Sequence, residues 1–183
     1  MTAHDEPWPE PPLAGDETAA IIGAVERQRA TLAWKCGGLD EEGMRATTAT
    51  STITLGALLK HLALVEDNTF TRRIGGLDIG APWNEVDWDA NPDWEWRSAA
   101  EDSPEELMTR WRDAVARSRI ALDEALAEGG LDQPVTSITD DDGNSPNLRR
   151  VLFDTLEEYA RHVGHADIIR ESIDGLVGED RPS

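Results

Sequence analysis

The chain is poor in the groups that would place it in most functional classes. It has one cysteine, Cys36, among 183 residues, so no intramolecular disulfide can form. Basic residues are few, 17 Lys and Arg against 37 Asp and Glu, for a formal net charge of −20. A surface of that sign repels phosphate backbones and anionic headgroups, which speaks against nucleic acid and membranes as partners. No apolar run approaches the roughly 20 residues needed to cross a bilayer. The N-terminus, MTAHDEPWPEPP, has neither a basic start nor an apolar stretch, so it does not read as a signal peptide and a cytoplasmic location is expected. There are no strand pairs, no internal repeat, no glycine-rich phosphate loop and no Ser-His-Asp set. Histidine is scarce too, with four in the whole chain.

What is present is helical periodicity. A charged fraction of 30% beside 39% apolar residues suits a soluble chain, and its length suits one domain with a real core. Residues 1–15 are acidic and proline-rich and read as an extended arm in which His4 is a solvated bystander. Asp16 caps a first helix in which Ile21, Ile22, Val25, Leu32 and Cys36 recur at helical spacing, and Gly37-Gly38 ends it. Cys36 reads as a small core residue, because no neighbouring histidine in sequence can activate it. A second helix, about Thr52 to Phe70, carries Leu55, Leu58, Leu59, Leu62 and Val65, with His61 on the border of that stripe.

Ile74 to Asp102 shows no clean helical period and is long for a connection. It carries Trp83, Trp88, Trp94 and Trp96, a density that argues for a packed lid and for indoles lining a pocket. Ser103-Pro104-Glu105-Glu106 starts the third helix with a capping box and a proline in its first turn. That helix runs to Gly129-Gly130. Residues 131–144 end in an acidic turn, Asp140 to Asn144, whose spacing does not fit a calcium loop. Ser145-Pro146 then begins a fourth helix, ended by Gly175, after which the last residues are expected to fray. The expectation is an all-α, four-helix bundle over residues 16–176, with a Trp-rich connection between helices two and three and a tail at 177–183. A bundle with an exposed apolar stripe can also pair as a homodimer.

Within the fourth helix, Glu158 and His162 stand at i, i+4 and so on one face. Taken alone this is an ordinary surface pair. His61 of the second helix changes that, because bundles build metal sites from inward side chains of facing helices. If helices two and four are neighbours, two imidazoles and a carboxylate meet, leaving open positions on a metal as in catalytic zinc sites. His165, three residues after His162, is a candidate fourth ligand.

Three stretches then carry a resemblance: TLGALLKHLALVE (residues 54–66), DWEWRSAAEDSPEEL (93–107) and EEYARHVGHADIIRESIDG (157–175). Together they resemble the DinB-like superfamily of four-helix metalloproteins. The branch is that of mycothiol-dependent S-transferases and the N-terminal domain of mycothiol-dependent maleylpyruvate isomerase. The resemblance implies a divalent metal, typically zinc, held by His61, Glu158 and His162. It also implies a supporting or pocket role for His165 rather than ligation. The activity it implies is transfer of a low-molecular-weight thiol, mycothiol, to a small electrophile. A metal-dependent hydrolase on the same scaffold and a non-catalytic metal-binding stress-response module are the alternatives.

Overall fold

The computed structural model describes residues 8–180; His4 and the first half of the expected arm lie outside it. Six α-helices follow in order: α1 Glu17–Cys36, α2 Glu41–Arg45, α3 Leu55–Glu66, α4 Trp94–Ser98, α5 Pro104–Gly129 and α6 Leu148–Asp174. The protein is all-α, and α1, α3, α5 and α6 form the bundle. α1 packs along α6, α3 packs along α5, and α3 meets α6 across the core. Leu58, Leu59 and Leu62 of α3 are completely buried, which fixes α3 as the central helix of this arrangement.

The caps follow the sequence at most ends. Asp16 accepts from the Ala19 amide and Thr54 from the Ala57 amide. Ser103 and Glu106 form the reciprocal capping box with Pro104 in the first turn. Gly175 takes the left-handed conformation, φ 77°, that ends α6 without a Cβ penalty. Four details differ from expectation. The connector after α1 contains α2, capped by Asp40. The second helix continues beyond Glu66 as a π-helical segment, Asp67–Ile74. The Trp-rich connection is not irregular throughout, since α4 lies within it between 3₁₀ turns at Trp83–Glu85 and Ala99–Glu101. The cap of α6 is Asn147, accepting from Arg150, rather than Ser145. Its cause is tertiary: the Val135 amide donates to the Pro146 carbonyl and the Leu148 amide to that of Gln133, holding residues 146–147 extended.

Residues 8–11 and Glu179 are also more tied down than the composition of the two ends suggests. Pro11 lies on α1 so closely that a Cβ at position 23 would stand 2.6 Å from its Cα, which is why Gly23 fits mid-helix. Trp8 packs edge-on against Trp34, with ring centroids 6.1 Å apart. Arg27 binds Glu10 at 2.8 Å and Glu179 at 3.2 Å, so arm and tail meet on α1.

One buried polar network ties the four long helices together. Arg29 of α1 donates to both oxygens of Glu66 on α3, at 2.8 and 2.6 Å. The Tyr159 hydroxyl of α6 donates to Glu66 at 2.5 Å and accepts from Trp111 of α5 at 2.9 Å. All four residues are less than 5% exposed. Burial and the Glu66 charge push the Tyr159 phenol well above its usual value, so it stays a donor. Next to it, Asp67 receives Arg117 on both oxygens, at 2.9 and 3.0 Å, and Trp83 Nε1 at 2.9 Å. Two successive buried carboxylates therefore turn to different partners at the point where the α-helix gives way to the wider π turn.

Candidate metal centre

His61 lies on the flank of α3, and Glu158 and His162 lie one helical turn apart on α6. Because α3 and α6 touch across the core, the three side chains converge. Glu158 Oε1 is 2.9 Å from His61 Nε2 and 3.1 Å from His162 Nε2. One potential ligand atom from each residue falls within 4.8 Å of the others. Contacts of this length resemble the edges of a tetrahedral shell, roughly 3.3 Å when ligands stand about 2.0–2.1 Å from an ion. The donor set, two imidazole nitrogens and one carboxylate oxygen, suits zinc and similar borderline divalent ions.

The cluster is half-sheltered. The His162 side chain is 9% exposed and that of His61 16%, whereas Glu158 is 34% exposed, so access is from the Glu158 side. Burial disfavours the charged form of His61, but Glu95 and Glu158 outweigh it and raise its pKa above the usual imidazole value. Burial and the neighbouring His61 lower that of His162. Burial pushes the Glu158 carboxyl up, but the two imidazoles overcome it and hold the group below the ordinary carboxylate range. The carboxylate is thus ionised and His162 favours its neutral form, the states in which both can act as ligands.

His165 faces the other side of His162. Its Nδ1 is 3.3 Å from His162 Nδ1, whereas the cluster is built on Nε2, and it is not among the three converging residues. The four tryptophans of the long connection divide. Trp83, Trp94 and Trp88 form an edge-to-face series with centroid separations of 6.1 and 6.3 Å. Trp96 alone reaches the cluster, stacking on His61 at 4.3 Å with planes 24° apart. It also lines a cavity of about 310 Å³ with Met44, Arg45, Thr54, Arg97 and Leu107. Cys36 is remote in character: it is 3% exposed and burial pushes its thiol up to about 12.

The residue that sequence reasoning left unassigned is Glu95. It is 5% exposed, and its Oε1 is 3.2 Å from His61 Nδ1. An acidic side chain between two tryptophans, in Trp94-Glu95-Trp96, was the one available signal.

An all-α bundle whose central helices bring two imidazoles and a carboxylate together defines a class, the helical-bundle proteins with a candidate divalent-metal centre between facing helices. Within that class the family is specific. Residues 20–175 match the family model described as Mycothiol-S-transferase, and the chain belongs to that family, part of the DinB-like superfamily. No curated protein and no solved structure matches it. No helix among the described residues is long and apolar enough to cross a membrane.

Proposed function

We propose that the protein is a zinc-dependent thiol S-transferase that joins a low-molecular-weight thiol, mycothiol, to a small electrophile. The observation that carries this reading is the convergence of His61, Glu158 and His162 in a chain of the Mycothiol-S-transferase family. In this reading the two Nε2 atoms and the Glu158 carboxylate hold the cation. When bound, a divalent cation supplies a positive charge that favours the deprotonated thiol at neutral pH.

The chain's own groups do the rest. His61, Glu158 and His162 would hold the ion, with the thiol approaching beside them. The exposed edge of Glu158 marks its route of entry. Trp96, which stacks on His61, also lines the cavity of about 310 Å³, so the electrophile would sit on the Trp96 side of the cluster. The Trp96 ring covers one face of His61 and excludes water from it, which strengthens electrostatic interactions there. Loss of a leaving group from the electrophile, or addition to it, completes the carbon–sulfur bond, and the proton of the thiol leaves to solvent.

The test is a transfer assay. Protein loaded with zinc is incubated with mycothiol and monobromobimane, and conjugate formation is followed by fluorescence. The expected result is acceleration that disappears on chelation and returns with zinc. Equal rates with and without the metal would contradict the reading, and turnover of an ester or amide without thiol would point to a hydrolase instead.

A further inference from the structure

We propose that Glu95 is the positioning residue of this centre: it accepts the Nδ1–H of His61 and thereby fixes His61 as the Nε2-ligating tautomer. This rests on the metal-centre reading and goes beyond it, since it assigns a group outside the three converging residues.

The pattern of partners carries the inference. The other buried carboxylates near the core have both oxygens occupied. Glu66 receives Arg29 on each oxygen and Tyr159 besides. Asp67 receives Arg117 on each oxygen and Trp83 besides. Glu95 is as deeply set as a structural carboxylate, yet its Oε2 is buried without a hydrogen-bond partner among the described residues. Its one side-chain hydrogen bond goes to His61 Nδ1, at 3.2 Å. A carboxylate that only braced the fold would be expected to have its second oxygen satisfied.

The ring it holds is engaged on one face and at both nitrogens. Trp96, the next residue along α4, stacks on the face of His61 and sets its plane. Glu95 sets its rotation within that plane. The opposite nitrogen, Nε2, is then aimed at Glu158 Oε1, 2.9 Å away. Two adjacent residues of a five-residue helix therefore orient one imidazole. An anionic acceptor on Nδ1 makes Nε2 a stronger donor. His162 has a different partner at its Nδ1, the imidazole Nδ1 of His165 at 3.3 Å. The two imidazoles are thus supported unequally, and two carboxylates, Glu158 and Glu95, stand against the charge of a divalent ion.

The experiment measures zinc affinity by chelator competition for wild type, Glu95→Gln, Glu95→Ala and His162→Ala. Glutamine keeps the shape and an accepting oxygen but removes the charge; alanine removes both. The expected order of affinity is wild type, then Glu95→Gln, then Glu95→Ala, with losses of roughly 10-fold rising toward 100-fold. The absorption bands of the cobalt-substituted variants should shift in the same order. A purely bracing role would lower the melting temperature but leave affinities and cobalt spectra unchanged, and that result overturns the proposal. Nitrogen-15 spectra of the histidines in wild-type protein give an answer that does not depend on variant folding. His61 protonated on Nδ1, with Nε2 responding to zinc, is expected; Nδ1 responding to zinc is contrary. If wild type takes up no zinc, or His162→Ala takes up as much, the metal centre fails and Glu95's role falls with it. If both behave as expected and Glu95→Gln binds as tightly as wild type, only the Glu95 assignment fails.

Discussion

Cys36 closes α1 against the core, 3% exposed, with its thiol pushed up to about 12 by burial. It should resist iodoacetamide at pH 8 in the folded protein and react within minutes once the chain is unfolded in urea; mass spectrometry of the alkylated chain checks this. Glu26 has the opposite tendency. Burial pushes its carboxyl up, but Arg119 and Arg29 outweigh that and hold it below 4.5. The unfolded chain therefore binds the proton first as pH falls. The stabilisation is present above pH 4.5 and is lost as pH drops through the lower folded value. Glu26→Gln should cost on the order of 1 kcal/mol at pH 7 and progressively less below pH 4.5, measured by urea unfolding across that range.

At this scale the candidate site was only partly legible. Glu158 and His162 could be paired from sequence, because i, i+4 spacing on a helix dictates a shared face. His61 could be added because the chain has only four histidines and three of them lie on the second and fourth apolar-striped helices. Glu95 could not, since its contact with His61 spans 34 residues and depends on a short helix inside a connection without clear periodicity. Trp96 was recognised as one of four, but nothing in the spacing separated it from the three indoles that pack elsewhere.

Among the elements, the four long helices were readable from stripes and caps, and the cap of α6 departs for a tertiary reason. Asn147 displaces Ser145 as a cap because residues 134 and 147 bridge. The π-helical extension after Glu66 coincides with Asp67, whose partners Arg117 and Trp83 are distant in sequence. The helices are held in register by the Arg29–Glu66–Tyr159–Trp111 network, and this can be tested. Tyr159→Phe removes the hydroxyl donor to Glu66 and the acceptor of Trp111 without changing the ring. It should destabilise the protein by about 1–3 kcal/mol in equilibrium unfolding. Ser103→Ala removes half of the α5 capping box and should cost about 1 kcal/mol.

For the whole molecule, the proposed metal centre would link metal binding to folding. An ion held between α3 and α6 binds the folded chain and not the unfolded one. Free zinc at about 100 times its dissociation constant should therefore add about 2.7 kcal/mol. Calorimetry with and without chelator should show the melting temperature rising with zinc concentration in wild type and not in His162→Ala. The formal charge of −20 bears on solubility and on the general attraction of cations, not on the site's selectivity. Uptake at His61, Glu158 and His162 is therefore what distinguishes a metal centre from a charged surface. The measurement that tests it most directly is elemental analysis of zinc in wild type and in folded His162→Ala after exhaustive dialysis. About one zinc per chain in wild type and little in the variant is predicted for a three-ligand site; equal zinc in both proteins would contradict it.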